Sequence, residues 1–480
     1  MLLFFLQGVK PLHPKASFNF VELLKQTLAA TAAAVASEGA KEEVLVAVRS
    51  SEAFEEVTLG PPVIPASSTS PALQLGVPEV ADTPTPSSSA NNPRKRKAKS
   101  ASKRSKKRKL EKEALKGAGA SQATRSQVLS HGVAVEVGLD ASEFKAARGA
   151  HTGKPGTQAK LGSEEERQRR YTLEELLDRG FEHIEWDGRT PIPILDRSGR
   201  IIAVLAGQPG SDYEQDLLEA FKLFSDAGKE AGLGATAAGG LHKRGGFPAF
   251  NRGVSMGMGS PVPVALNPGF MAQILNRLVG AKAVVRMAAY QNGEFIHFLA
   301  SAFSLWAPRV YDEYKNTRNV LRQKLPHLPD NFPGFSEFAA AAFNLGGNVW
   351  TFKHRDFLNW PFGWCAITAL GNFDPGRTAQ LILWELKLVI DFPHGATVLI
   401  PSGVITHSNT PVATGDTRMS FTQYTAGAIF RWVENGCRTE RELEVANPKG
   451  WAAMQAGKDK AYIRHINNFS TIDELTADIL

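Results

Sequence analysis

The chain has 480 residues, of which 43% are apolar and 21% charged, a composition typical of a soluble globular protein that also carries disordered sequence. Its two cysteines, Cys365 and Cys437, exclude a disulfide framework and a cysteine-rich zinc module. The net charge of +7 is concentrated in residues 94–109, which carry 11 Lys or Arg and no acid, so that without this block it becomes −4.

Residues 1–162 are predicted to be a long disordered tail, because residues 60–93 are rich in Pro, Ser and Thr and contain little periodic apolar sequence. A short helix over residues 18–36 is the expected exception. The opening stretch is apolar but short and has no basic start, so we expect neither a signal peptide nor a membrane partner. The two basic clusters within 94–109 predict a bipartite nuclear localisation signal that binds importin, or a phosphate-binding arm, with a solvated charge run as the alternative.

Residues 163–440 are predicted to form one folded domain, followed by a helical tail over residues 441–480. The first half of the domain combines helices, strands over residues 181–207, and a long Gly-rich loop over residues 236–261. The predicted helices cover residues 163–181, 213–232, 267–279, 294–306 and 308–324.

The sequence becomes strand-like at residue 338 and remains so until about residue 433, with Gly, Pro, Asn and Asp between the segments. Several short strands of this kind are typical of a closed or two-sheet β core. The predicted fold class is therefore α+β, with a double-stranded β-helix (jelly-roll) core, flanking helices and a long disordered N-terminal region.

His354, Asp356 and His407 are predicted to bind a metal and to form the catalytic centre. Alternation along a strand end directs His354 and Asp356 to the same side, and a strand and polar turn over residues 395–407 can return His407 across a barrel. Two imidazoles and one carboxylate leave positions open around iron(II), as in non-haem oxygenases. The alternatives for single residues are a surface ion pair with Arg355 and an ordinary loop histidine.

Arg418 and Ser420 begin the next predicted strand and point to one side of it. A guanidinium beside an open metal site can hold the far carboxylate of a dicarboxylic acid in a bidentate fork, and a hydroxyl can donate to the same group. This pattern predicts 2-oxoglutarate and O2 as co-substrates of an Fe(II) enzyme. The second H-x-E pair, His183 to Glu185, is interpreted as an exposed strand pair, and His394 as a structural turn residue.

Three segments, "HRDFLN", "GATVLIPSGVITHSN" and "RMSFTQY", resemble the iron(II)- and 2-oxoglutarate-dependent nucleic-acid base dioxygenases of the ten-eleven-translocation and J-binding-protein (TET/JBP) type. The resemblance is strongest to the fungal branch found beside transposons and covers roughly residues 180–435. It implies that His354, Asp356 and His407 ligate iron, and that Arg418 holds 2-oxoglutarate with Ser420 beside it.

The same resemblance implies that Asn359 contacts the target base and that Tyr424 packs on it. Trp360 is a second candidate for stacking on the base, with a place in the core or in a cleft wall as the alternative. The animal members carry a base-contacting histidine two residues after the aromatic, where this chain has Ala426, and a cysteine-rich zinc region that two cysteines cannot build. The substrate base and the mode of duplex binding therefore stay open.

The predicted function is oxidation of a methylated nucleobase in the nucleus, with 5-methylcytosine in DNA converted to 5-hydroxymethylcytosine and further products. RNA stays open as a second nucleic-acid partner. One alternative is a 2-oxoglutarate-dependent hydroxylase of a protein or small molecule. Another is a catalytically silent nuclear module that binds nucleic acid.

Overall fold

The computed structural model describes residues 122–144, 161–210, 213–233, 242–257, 259–292 and 302–477, all of which belong to one compact unit. The basic block at 94–109 and the helix predicted over 18–36 lie outside these ranges. Within them, no helix has both the length and the apolar character needed to cross a bilayer.

Helices precede and follow the strand-rich part of the chain. In chain order they are α1 (Gln122–His131), α2 (Glu164–Gln168), α3 (Leu173–Asp178), α4 (Glu214–Glu230), α5 (Ala272–Gly280), α6 (Lys282–Asn292), α7 (Ala302–Trp306), α8 (Pro308–Lys324), α9 (Gly427–Glu434), α10 (Glu440–Ala446), α11 (Pro448–Ala456), α12 (Lys458–Ile466) and α13 (Ile472–Ala477).

The strands form two sheets. In chain order they are β1 (Val135–Glu136), β2 (Glu182–Ile184), β3 (Ile192–Leu195), β4 (Ile201–Gly207), β5 (Ala249–Ser255), β6 (Val264–Ala265), β7 (Ala340–Asn344), β8 (Cys365–Asn372), β9 (Leu381–Leu383), β10 (Leu388–Ile390), β11 (Thr397–Ile400), β12 (His407–Asn409) and β13 (Thr417–Tyr424). The larger sheet has nine strands in the order β1-β3-β4-β11-β8-β13-β7-β5-β6, and the smaller has four in the order β12-β9-β10-β2. The predicted α+β class is confirmed.

Strands β4 and β7 of the nine-stranded sheet are almost entirely apolar because they are buried along their whole length. Every residue of β4 and of β7 is buried. Helices α4 and α6 pack against β8, and α7 packs against β4, so helices cover part of this sheet. The sheet is thereby held as a rigid base for the residues of β13.

Residues 122–144 contradict the prediction that the whole of 1–162 is a disordered tail. Helix α1 and strand β1 are formed there, and β1 pairs in parallel with β3 at the edge of the larger sheet. Ala141 and Phe144 are buried in the main core. This contact spans more than fifty residues along the chain, and a two-residue strand carries no detectable alternation, so local sequence patterns do not indicate it.

The boundary predicted at residue 440 also differs from the structure. The tail after it is helical, as expected, but Tyr462, Ile466 and Phe469 belong to the same core as the strands. Helix and strand assignments differ from the prediction at two further places. The strand expected to continue to residue 433 ends at Tyr424 and is followed by α9, and the Gly-rich loop expected over 236–261 contains β5.

Candidate metal centre

His354 and His407 lie directly opposite each other on neighbouring chain segments. The backbone N–H of His354 donates to the carbonyl of His407 at 3.1 Å, and the N–H of His407 donates to the carbonyl of His354 at 2.9 Å. The centroids of the two rings are 4.2 Å apart. His407 begins β12 at the end of the polar turn that follows β11, so this turn returns it to the segment that carries His354.

Both imidazoles present the same nitrogen to the centre. Nδ1 of His354 lies 2.7 Å from the carbonyl oxygen of Phe352, and Nδ1 of His407 lies 3.0 Å from that of Ile405. A carbonyl oxygen only accepts hydrogen bonds, so each Nδ1 carries the proton and donates it. Each Nε2 therefore keeps a lone pair that is available to a metal.

Asp356 completes the set of three predicted ligands. Its carboxylate oxygens lie 3.9 Å from Nε2 of His354 and 4.0 Å from Nε2 of His407, and the candidate ligand atoms of the three residues all lie within 4.8 Å of one another. Two ligand atoms bound at right angles about 2.1 Å from one metal would be about 3 Å apart. Side-chain shifts of about 1 Å therefore suffice for coordination, and the His-Asp-His group could hold a metal ion.

The electrostatics of the centre also suit a cation. Burial, together with the neighbouring ring of His407, lowers the pKa of His354, which keeps this imidazole neutral at neutral pH. Burial alone would raise the pKa of Asp356, but Arg244 and the two imidazoles outweigh it and lower the pKa. The ligand set is therefore two imidazoles and an ionised carboxylate, which fits iron(II) with positions left open.

Arg355 and Glu385 hold the two histidine-bearing segments together. Nη2 of Arg355 lies 2.5 Å from Glu385, and its Nε donates to the hydroxyl of Thr406 at 2.9 Å. Glu385 also accepts hydrogen bonds of 2.6 Å from both the N–H and the hydroxyl of Thr406. Because Arg355 follows His354 and Thr406 precedes His407, we call these three residues the clamp. Sequence reasoning missed Glu385, since no motif marks a residue that lies between the two histidine-bearing segments.

Arg244 is the second residue that sequence reasoning missed. Its Nη1 lies 3.7 Å from Oδ1 of Asp356, and 36% of its side chain is exposed. Its carbonyl accepts from the N–H of Phe352, which docks the turn at residues 242–245 onto the metal-binding segment. The adjacent Lys243 and Arg244 within the predicted Gly-rich loop were the available signal, because long loops of this kind are often functional and cations can meet an anionic group.

Arg418 is a buried cation that has no acidic partner among the residues the structure describes. The residue is 2% exposed, its Nη1 donates to the carbonyl of Val349 at 2.9 Å, and its buried Nε has no hydrogen-bond partner. Burial lowers the pKa of Arg418 to about 10, which still leaves it charged at neutral pH. A buried charge is costly unless it is paired, so this guanidinium is suited to an anionic ligand.

Ser420 is buried two residues further along β13, where its hydroxyl accepts from the side-chain amide of Asn344 at 2.9 Å. Close packing supports this part of the strand. A Cβ on Gly371 would lie 2.0 Å from the carbonyl oxygen of Thr417 and 3.0 Å from Cα of Arg418. Glycine at this position of β8 is therefore needed for β13 to approach and for Arg418 to take its place.

One segment connects Arg418 with the three candidate metal ligands. The N–H of Val349 donates to the carbonyl of Arg418 at 3.0 Å, and five residues later His354 pairs with His407. Five extended residues span at most about 17 Å, so the segment limits the separation of the two groups. It was predicted as a continuous strand, but the structure shows isolated bridges at Asn348, Thr351 and His354.

The three predicted substrate residues have different surroundings. Asn359 is buried, and its amide donates to Ser402 Oγ at 3.0 Å. The hydroxyl of half-buried Tyr424 donates to Asn251 at 2.9 Å. Trp360 is only 1% exposed and stacks on Phe430 with ring centroids 4.4 Å apart. The ring of Trp360 thus lies in the core, and the suggestion that it stacks on a base is withdrawn.

Two other histidines lie away from the metal centre. His183 was expected to be exposed, but 18% of its side chain is accessible and its Nε2 lies 2.8 Å from Asp391. That expectation is wrong for His183, whose ring packs against Asp391 directly after β10, whereas Glu185 is exposed as expected. His394 is structural, as expected: its Nδ1 accepts from the N–H of Gly371 at 2.9 Å, and burial lowers its pKa to about 4.

No protein-family model matches the chain, and no curated protein matches it. Among solved structures, the chain is similar to NgTET1 in complex with 5mC DNA, with 14% sequence identity and a TM-score of 0.33. This similarity covers 53% of the present chain and 89% of the NgTET1 chain.

Proposed function

We propose that this protein is an iron(II)- and 2-oxoglutarate-dependent dioxygenase whose two sheets form a double-stranded β-helix. The observation that carries the proposal is the pairing of two features. The His354, Asp356 and His407 side chains could hold a metal, and Arg418 is a buried cation without an acidic partner in the described residues. A metal centre alone fits many proteins, but a nearby buried guanidinium adds a specific need for an anion.

In this proposal, Nε2 of each histidine and the carboxylate of Asp356 hold the iron. The carbonyls of Phe352 and Ile405 accept from Nδ1 of each ring, so both rings stay oriented with Nε2 toward the centre. Arg418 binds the distal carboxylate of 2-oxoglutarate, and the Ser420 hydroxyl lies on the same side of β13. When bound, iron and 2-oxoglutarate supply oxidation of a C–H bond by O2, with decarboxylation of 2-oxoglutarate to succinate.

We further propose that the oxidised group is the methyl of 5-methylcytosine in DNA. The support is the likeness of the three motifs to nucleic-acid base dioxygenases, and an electrostatic setting in which Tyr424 lies near both Arg244 and Asp356. A base within a duplex cannot reach a centre of which two ligands are buried, so the base has to leave the stack. The basic block at residues 94–109 supports a nuclear location and phosphate binding that weakens with salt.

Succinate formation tests the proposal. The full chain, loaded anaerobically with Fe(II), is given 2-oxoglutarate and O2 with methylated DNA, unmethylated DNA or a peptide mixture. We expect methylated DNA to stimulate succinate formation, and His354→Ala and Asp356→Ala to abolish it. His327→Ala and Asp178→Ala replace exposed residues of the same types and should retain it. Stimulation by peptides alone would favour the protein hydroxylase, and normal turnover in Asp356→Ala would refute the metal assignment.

A further inference from the structure

Two large apolar side chains are exposed immediately beside the metal centre. Phe357 is 45% exposed and Leu358 is 42% exposed, and they follow the metal-binding Asp356 directly. The N–H of Asn359 donates to the carbonyl of Asp356 at 2.8 Å, which closes a turn with Phe357 and Leu358 as its two central residues. We call the four residues 356–359 the apolar turn.

The apolar turn contradicts the usual chemistry of turns. Central turn positions favour Gly, Pro, Asn, Asp and Ser, which solvate well and adopt tight conformations, whereas Phe and Leu lose the stabilisation of burial when exposed. A departure of this kind from local rules is expected at functional sites. Isolated exposed apolar residues are ordinary, but two adjacent ones at the tip of a turn beside a metal ligand form a patch.

The turn is firmly supported from below. The N–H of Asp356 donates to the carbonyl of Ser402 at 3.0 Å, and the N–H of Gly427 donates to the carbonyl of Leu358 at 2.8 Å. A Cβ on Gly427 would lie 3.1 Å from Cα of Trp360, so the start of α9 packs tightly against the end of the turn. The two apolar side chains are therefore displayed on a fixed base.

Cations lie beside this patch. Arg244, within 3.7 Å of Asp356, is partly exposed, and Lys243 next to it is exposed. An apolar tip flanked by positive charge fits a partner with an apolar interior and an anionic surface, which is the chemistry of a stacked nucleic-acid duplex.

The geometry points to Phe357 and Leu358 as a wedge that enters the base stack of duplex DNA while the target base occupies the metal centre. This inference rests on the proposed function, because it assigns a role in presenting the base that is oxidised. Extrusion of a base leaves a gap between its two neighbours and costs stacking energy. An aromatic ring and a branched aliphatic side chain can fill that gap and recover part of the lost stacking energy. Both side chains also become buried, which removes apolar surface from water.

Because Phe357 and Leu358 follow Asp356 directly, the wedge lies next to the proposed metal centre. Since Phe357 is the residue after a metal ligand, the gap that it fills lies beside the base being presented to the metal. Arg244 and Lys243 would contact the phosphates that flank the gap, which orients the duplex without reading its sequence. The wedge is needed only for a paired, stacked substrate, and a single strand does not require it.

The ratio of duplex to single-strand oxidation tests the wedge. With the full chain and one methylated oligonucleotide, alone or annealed, we expect Phe357→Ala to lower this ratio about tenfold, since loss of base–aromatic stacking costs roughly five- to 150-fold. Leu358→Ala, which removes no ring, should lower the ratio by a smaller factor. Phe357→Trp keeps a stacking ring and should keep the ratio. Phe270→Ala, which removes a 54% exposed phenylalanine elsewhere, is the matched control and should leave the ratio unchanged.

A second readout separates failure of the wedge from failure of the proposed function. A duplex with 2-aminopurine beside the target base reports loss of stacking as increased fluorescence, without turnover. We expect the intact protein to raise the fluorescence and Phe357→Ala to raise it much less. An unchanged ratio, or equal fluorescence with both proteins, would overturn the wedge. If the intact protein oxidises no methylated DNA but gives the expected fluorescence difference, the wedge stands and the proposed reaction fails.

Discussion

Replacing Arg418 by methionine separates binding of the co-substrate from stability of the fold. Arg418 is 2% exposed, and burial lowers its pKa from the ordinary 12.5 to about 10. One pKa unit corresponds to about 1.36 kcal/mol, so burying the charged guanidinium costs about 3 kcal/mol of folding free energy. Methionine of similar length removes that cost, but it also removes the hydrogen bond to the carbonyl of Val349, which is worth about 1–3 kcal/mol. The ligand-free variant should therefore be as stable as the original protein, or up to about 2 kcal/mol more stable.

Binding of 2-oxoglutarate should respond in the opposite direction. Two charge-assisted hydrogen bonds from Arg418 to the distal carboxylate contribute about 3 kcal/mol, so their loss should weaken binding about 100-fold. The assay is urea unfolding under nitrogen, with Mn(II) in place of Fe(II), and with or without 2-oxoglutarate at about 100 times its dissociation constant for the original protein. The ligand should then stabilise the original protein by about 2.7 kcal/mol and the Arg418→Met variant by about 0.4 kcal/mol.

Arg318→Met is the matched control for Arg418→Met. Arg318 is equally buried at 2% exposure, but its Nη2 lies 3.1 Å from Asp330. Removing it takes a partner from an acid, so this variant should lose stability and keep its response to 2-oxoglutarate. The reasoning about Arg418 is refuted if Arg418→Met keeps the full ligand response, or if it loses more than about 2 kcal/mol without ligand, the loss expected of a structural cation.

Two further predictions concern the clamp and the buried histidines. Glu385→Gln should weaken metal binding about tenfold, because a neutral amide cannot hold both Arg355 and Thr406 as the carboxylate does. The measurement is a metal titration, and an unchanged affinity would show that the clamp does not position the ligands. The free energy of unfolding of the metal-free protein should fall as the pH drops below about 6.5, by about 1.4 kcal/mol per pH unit for each histidine concerned. The sign follows because burial lowers the folded-state pKa values of His354 and His394, so the unfolded chain binds more protons there. His394→Gln should reduce the slope, and a flat profile between pH 6.5 and 4.5 would contradict this account.

Short sequence patterns predicted the residues of the candidate centre better than they predicted the fold around it. The H-x-D pair, the histidine after a polar turn and the R-x-S strand start each follow from short patterns, and the structure brings His354, Asp356 and His407 together. Helix α8 was predicted with its observed bounds, because a proline at its first position and basic residues in its last turn mark both ends.

Contacts between distant parts of the chain could not be predicted in this way. Strand β1 is too short for a periodic pattern and is recognisable only through its pairing with β3. Arg244 contacts Asp356 from a loop, and Glu385 contacts Arg355 and Thr406 from a turn. No spacing rule connects either residue with His354. Trp360 was placed beside the substrate because of its position in the chain, but the packing of Phe430 on its ring places it in the core.

Nucleoside mass spectrometry of methylated DNA tests the central claim most directly. The full chain is incubated with Fe(II), O2 and a duplex that carries 5-methylcytosine, with or without 2-oxoglutarate, and in parallel with the Asp356→Ala variant. The account predicts 5-hydroxymethylcytosine only with the unaltered protein and 2-oxoglutarate together. Intact 5-methylcytosine in that complete reaction, by an iron-loaded protein that does convert 2-oxoglutarate to succinate when another substrate is supplied, would contradict it.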